Sequence, residues 1–349
     1  MNTLIRARRA ASSFILCALC LGALNPQASA QTVADSASGG GSGLAGSVTP
    51  SPYQGPQLRS FPAGVAVSLL FLPRISPKGA NDWHCKPSAA HPYPVILVHG
   101  TYEDAYDNWA LMAPEVQQAG YCVFALDYGR DAHDLLELLP GVYGDGEIGE
   151  SAKQLAAFVD KVLAATGAGK ANLVGHSQGG LLIRAYLKLA GGADPADPAR
   201  NRVEHVVSIG GSNHGTTVYG LALLVRELNL LGLAAAVAGP SFGEQVAGSP
   251  FLQEVNAGGD TEPGIDYTVI GSRYDEIVTP YQSTFLSAGP GATVHDITVQ
   301  DGCPIDWTDH LSESYDPRII GLVKAALDPA NPPPVPCVHT LPLFGAGAS

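Results

Sequence analysis

Asn172-Leu-Val-Gly-His-Ser-Gln-Gly-Gly180 packs a strand end, a sharp turn and a helix start into nine residues. Leu173 and Val174 read as the end of a buried strand. Gly179 to Leu189 reads as a helix with Leu181, Leu182, Ala185 and Leu189 on one face. Between them, Gly175-His-Ser-Gln-Gly179 has Gly-x-Ser-x-Gly spacing. The two glycines remove side chains that would collide where strand meets helix, and the turn lifts the serine clear of the sheet. A bare five-residue match is weak. Inside a strand–turn–helix context it points to Ser177 as a nucleophile rather than a small residue in a turn.

Outward from this turn, short apolar runs repeat. Val95–Val98, Val123–Leu126, Ala171–Val174, Val203–Ile209, Tyr267–Gly271 and Asp296–Val299 read as buried strands. Helical patterns separate the earlier ones, over Asn108–Ala119 and over Ser151–Ala165. The second sets Leu155, Phe158, Val159, Val162 and Leu163 on one face. Strands alternating with helices predict an α/β fold, a mainly parallel sheet covered on both faces. Ligands then bind beyond the carboxyl ends of the strands. Val218–Gly239 is apolar almost all round, with Arg226, Glu227 and Asn229 in its middle. Those polar residues argue against a membrane span. The segment reads as a buried helix, or as a lid or cap over an acyl pocket.

The start of the chain has the pattern of a secretory signal. Arg6, Arg8 and Arg9 precede the apolar run Phe14–Leu24, and Ala28-Ser-Ala30 fits a cleavage site after Ala30. Residues 31–52 are Gly/Ser-rich and aperiodic, a flexible leader, and one globular domain is expected over 53–349. The net charge is −13, and loss of those three arginines makes it more negative. An exported acidic protein suits neither nucleic acid nor anionic membrane surfaces. Four of the six cysteines follow Ala30: Cys85, Cys122, Cys303 and Cys337. In an exported chain they imply two disulfides. Cys85–Cys122 and Cys303–Cys337 are favoured, since each would staple a loop or tail to a nearby strand. No Cys-x-x-Cys pair marks a metal site, and no phosphate or dinucleotide fingerprint implies a cofactor.

A serine hydroxyl needs a base, and the base needs an acid to hold its tautomer. On a sheet with this turn the chain order is serine, acid, histidine. Of the ten histidines only His295, His310 and His339 follow a plausible acid. His295 starts a strand pattern and His339 lies in a Pro-rich tail, which favours His310. Asp275 stands four residues beyond the strand ending at Gly271, with Glu276 as its neighbouring competitor. Asp306 and Asp309 lie too close to His310 in sequence to orient it and read as loop caps. The oxyanion donors expected are the amides of Gln178 and Thr101, the latter in Val98-His-Gly-Thr101. His99 and His176 read as packing residues and His214 as a residue beside the site. Trp83, Trp109 and Trp307 read as core or pocket wall.

Several blocks resemble the secreted actinobacterial class 2 lipases of the α/β-hydrolase fold. They are Gly79-Ala-Asn-Asp-Trp-His-Cys85 running into Pro94-Val-Ile-Leu-Val-His-Gly-Thr101, Gly120-Tyr-Cys-Val-Phe-Ala-Leu-Asp-Tyr-Gly129, Ser212-Asn-His-Gly-Thr-Thr217 and Tyr274-Asp-Glu-Ile-Val-Thr-Pro280. The resemblance runs from about residue 55 to 340. It implies hydrolysis of triacylglycerols or shorter acyl esters, and carries Ser177, Asp275, His310, Thr101 and Gln178 onto the roles above. Two other readings stand beside it: a polyester or cutinase-like hydrolase with an open groove, and a catalytically silent binding module on the same fold.

Overall fold

The computed structural model describes residues 51, 53–70, 75–130, 139–218 and 238–345. The expected signal segment with its cleavage after Ala30, nearly all of the 31–52 leader, and residues 219–237 of the apolar lid or cap segment lie outside the described residues.

The strands are β1 Val95–Val98, β2 Val123–Leu126, β3 Ala171–His176, β4 Val203–Ile209, β5 Asp266–Gly271 and β6 Thr293–Thr298. They form one six-stranded sheet in the order β2-β1-β3-β4-β5-β6, and every pairing is parallel. Helices cover both faces, as an all-parallel sheet requires. In chain order they are α1 Phe61–Leu70, α2 Ala105–Trp109, α3 Met112–Gln118, α4 Ile148–Thr166, α5 Gln178–Leu189, α6 Pro240–Glu244, α7 Pro250–Asn256 and α8 Pro317–Leu327.

The period of two along each strand divides the core. Ile96, Val98, Phe124, Leu126 and Leu173 face one layer with α4, α5 and α7. Val95, Leu97, Val123, Ala125 and Val174 face the other with α2, α3 and α8. All five residues expected on the apolar face of α4 are buried. On α5, Leu181, Leu182 and Ala185 are buried, but Leu189, the last helical residue, is 45% exposed.

Three expectations shift. The single helix read over 108–119 is two, because Asp104 caps a helix that starts at Ala105 and ends at Trp109. The last strand overlaps the run read for it, Asp296–Val299, but starts three residues earlier and ends one earlier. It is an edge strand, half exposed along its length, so its pattern carries little hydrophobic signal. Trp307 is a surface residue rather than core, 46% exposed and edge-on to His339. Trp109 is fully buried, and Trp83 packs on Phe124 and Phe158. The cysteines pair as Cys85–Cys122 and Cys303–Cys337.

Candidate active site

Ser177 occupies the turn between β3 and α5 with φ 55° and ψ −125°, a region a non-glycine residue enters only under strain. Its neighbours are fitted to that turn. A Cβ at Gly175 would meet the Gly179 carbonyl at 2.5 Å, and one at Gly179 would meet the Val98 carbonyl oxygen at 2.1 Å. The Ser177 amide donates to the Ile209 carbonyl at 2.9 Å, which ties the turn to the end of β4. Gly239-Pro-Ser-Phe-Gly243 has the same spacing without the same setting. Its Ser241 lies inside α6 and donates to the Gly144 carbonyl at 2.8 Å.

Two segments from carboxyl ends of strands converge on Ser177. His310 lies in the loop between β6 and α8, and its Nε2 is 2.8 Å from Ser177 Oγ. Its Nδ1 is 2.9 Å from Asp275 Oδ2, in the loop after β5. Asp275 Oδ1 accepts from the amides of Ile277 and Val278 at 2.9 and 2.8 Å, so both carboxylate oxygens are engaged. All three residues are buried. The hydrogen-bonded chain can take the hydroxyl proton onto the imidazole while the carboxylate holds the Nδ1–H. Burial, the largest single influence, would lower the His310 pKa, but the charge of Asp275 and its hydrogen bond oppose it, and the imidazole lies above its ordinary value. Glu276 touches His310 elsewhere, accepting from its backbone amide at 3.3 Å. Asp309 caps the following 3-10 turn by accepting from Ser312 N.

The Thr101 and Gln178 amides make no hydrogen bond among the described residues. Beneath them His99 is fully buried and stacked on Tyr128 with ring centroids 4.2 Å apart. Its Nδ1–H donates to the Gly100 carbonyl at 2.7 Å, and burial holds its pKa below the ordinary value, so the ring is a neutral prop for the loop. Asp306 supports the His310 loop, accepting from Thr308 N at 3.0 Å. His214 sits away from this chain, bonded to Asp260 Oδ1 and to the Ser283 carbonyl, each at 3.0 Å.

Two buried acids escaped the sequence reading. Glu103 Oε2 accepts from Gly100 N at 3.0 Å and lies 3.2 Å from His176 Nδ1. His176 Nε2 donates to the His310 carbonyl at 3.0 Å. Glu313, fully buried, lies 3.9 Å from His310 Nδ1 and 3.6 Å from His176 Nε2. Burial raises the Glu313 carboxyl well above its ordinary value. Each acid lies three residues from a singled-out position, Gly100 or His310, and that closeness is the only signal the sequence offers. Among the described residues, His176, His310 and Glu313 form the one group spaced to hold a metal ion. A metal held by one His310 nitrogen would displace the bond that nitrogen makes, to Asp275 or to Ser177.

The sequence profile of the family described as Lipase (class 2) matches residues 92–301. A triacylglycerol lipase of Pseudarthrobacter phenanthrenivorans is 35% identical over 154 residues, 43% of this chain and 42% of the relative. A triacylglycerol lipase of Burkholderia plantarii is likewise 35% identical over 154 residues, 43% of this chain and 37% of the relative. The chain thus spans about two fifths of the length of the curated relatives it matches. Among solved structures, lipase B of Aspergillus fumigatus superposes with a TM-score of 0.54 at 20% identity, over 75% of this chain and 57% of that one. That likeness identifies the α/β-hydrolase fold.

Proposed function

The chain belongs to the class 2 lipase family, and from that premise we propose that it is an exported serine hydrolase of carboxylic acyl esters, triacylglycerols among them. The observation that carries this reading is the unbroken chain from Ser177 Oγ through His310 to Asp275, at 2.8 and 2.9 Å, beside two amides that donate to no other group among the described residues. Ser177 attacks the acyl carbonyl carbon as His310 Nε2 takes the hydroxyl proton. Asp275 holds the imidazolium that forms. The carbonyl oxygen becomes an oxyanion and is met by the amides of Thr101 and Gln178. Collapse expels the alcohol, which takes the proton from His310. Water, deprotonated by the same nitrogen, then releases the fatty acid and restores Ser177.

Two disulfides support export, as does the basic, apolar and small-residue order of the first thirty residues. Among the described residues no helix is long and apolar enough to cross a membrane. The substrate class rests on the two relatives, which are named triacylglycerol lipases.

The test is hydrolysis of p-nitrophenyl esters from acetate to palmitate by the purified protein and by Ser177→Ala. Loss of about three to six orders of magnitude in the variant is the expected result. Rates that rise toward long chains support a lipase, and rates confined to short chains make it an esterase. Activity on a solid polyester film but not on oil emulsions would favour a cutinase-like enzyme. No serine-dependent turnover on any ester would leave a silent binding module.

A further inference from the structure

Gln245 stands at the carboxyl end of α6, buried. Its side-chain amide is fully used. Nε2 donates to Thr101 Oγ1 at 2.9 Å and to the Ser241 carbonyl at 3.2 Å, and Oε1 accepts from Ser212 Oγ at 2.8 Å. One amide therefore spans two loops, one after β1 and one after β4, that meet at Ser177.

Each loop supports the backbone that carries one oxyanion donor. The Ser177 carbonyl accepts from Gly180 N at 3.0 Å and from Ser212 N at 3.3 Å. That carbonyl shares a planar peptide with the Gln178 N–H, and in a trans peptide the two point in opposite directions. Holding the carbonyl toward Ser212 thus turns the Gln178 N–H the other way, into the site. On the far side, a Cβ at Gly144 would meet Gly100 O at 2.8 Å and Thr101 Cα at 3.3 Å, so the Thr101 backbone is backed by another chain segment. Its hydroxyl is the handle on the open side, and among the described residues Gln245 is what holds it. The Gln245 backbone is anchored on its own account, its amide donating to the Ser241 carbonyl at 3.1 Å and its carbonyl accepting from Thr216 N at 2.9 Å. Truncating the side chain therefore leaves α6 in place and loosens the two donors.

We propose that Gln245 is a positioning residue for the oxyanion hole, setting the Thr101 and Gln178 amides at once through the hydroxyls of Thr101 and Ser212. The proposal rests on the serine-hydrolase reading of Ser177. It makes Gln245 act on the transition state and not on ground-state binding, since the carbonyl oxygen acquires its full charge only after attack.

The experiment compares wild type with Gln245→Ala and Gln245→Met. The methionine fills similar space without hydrogen bonds and decides the matter where the alanine variant does not fold. With p-nitrophenyl butyrate, kcat should fall about 10- to 100-fold, less than loss of a whole donor, with KM within about twofold. Phosphonylation by a p-nitrophenyl alkylphosphonate, which also puts negative charge on the attacked group's oxygen, should slow in step. Thr101→Val added to Gln245→Ala should bring little further loss, because both cut the same link. A kcat within about twofold of wild type, a loss confined to KM, or losses that multiply in the double variant would overturn the proposal. Failure of the wild type to be phosphonylated at Ser177 removes the underlying hydrolase reading. Normal wild-type labelling with equally fast variants removes the role of Gln245 alone.

Discussion

Asp275 and Glu276 are adjacent in sequence and unlike in setting. Asp275 spends its carboxylate on two backbone amides and on His310 Nδ1. Burial, with Asp309 and Asp275 close by, pushes the Glu276 carboxyl up to about 8, so it holds a proton where Asp275 must hold a charge. Asp275→Asn should therefore lower kcat/KM by about 10³- to 10⁴-fold, while Glu276→Gln, close to the native protonated form, should cost less than about tenfold. The reverse ranking, read from steady-state kinetics, would hand the role of acid to Glu276. The raised imidazole of His310 sets the pH dependence. A base acts only unprotonated, so a raised value moves the acid limb of the kcat/KM profile toward higher pH. Activity should climb through a midpoint above the ordinary histidine value of about 6.5. A midpoint at or below that value would show that Asp275 does not raise the imidazole as this arrangement implies.

The elements that carry these residues were legible in unequal measure. β1 to β5 are buried on both faces and announce themselves as Val/Ile/Leu runs. The turn at Ser177 was legible because its spacing has a steric cause, visible in the Cβ clashes at Gly175 and Gly179. The start of β6 was read three residues late because an exposed edge strand carries little apolar pattern. The break between α2 and α3 was missed because the capping signal of Asp104 lies upstream of the apolar stretch, and it places Asn108 within 2.8 Å of His176 Nδ1. Ser177, His310 and Asp275 were readable from chain order after strand ends. Glu103, Glu313 and Gln245 were not. Gln245 meets Thr101 across 144 residues of chain, and no local pattern encodes such a contact.

Across the whole molecule, the two disulfides act at opposite ends of the sheet. Cys122 directly precedes β2, so Cys85–Cys122 sits at the amino ends of the strands, away from Ser177. Cys303–Cys337 ties the chain entering the His310 loop to the carboxyl-terminal tail. That tail is bound further by Trp307 N donating to the Thr340 carbonyl at 3.1 Å and Leu343 N donating to Asp309 Oδ1 at 2.9 Å. The sequence separations are 37 and 34 residues, so loop entropy gives the two links nearly equal weight, about 3–4 kcal/mol each. Their effects on turnover should differ. Replacing Cys303 and Cys337 with alanine should lower the melting temperature and also reduce kcat, because the tail no longer steadies the loop that presents His310. Replacing Cys85 and Cys122 should lower the melting temperature by a comparable amount and leave kcat of the folded protein within about twofold of wild type, since additivity holds between distant sites. Thermal melts and ester kinetics on both pairs, run well below either transition, separate stability from turnover. Equal losses of kcat in the two pairs would mean that the tail does not act through His310 and that both disulfides serve only to hold the fold.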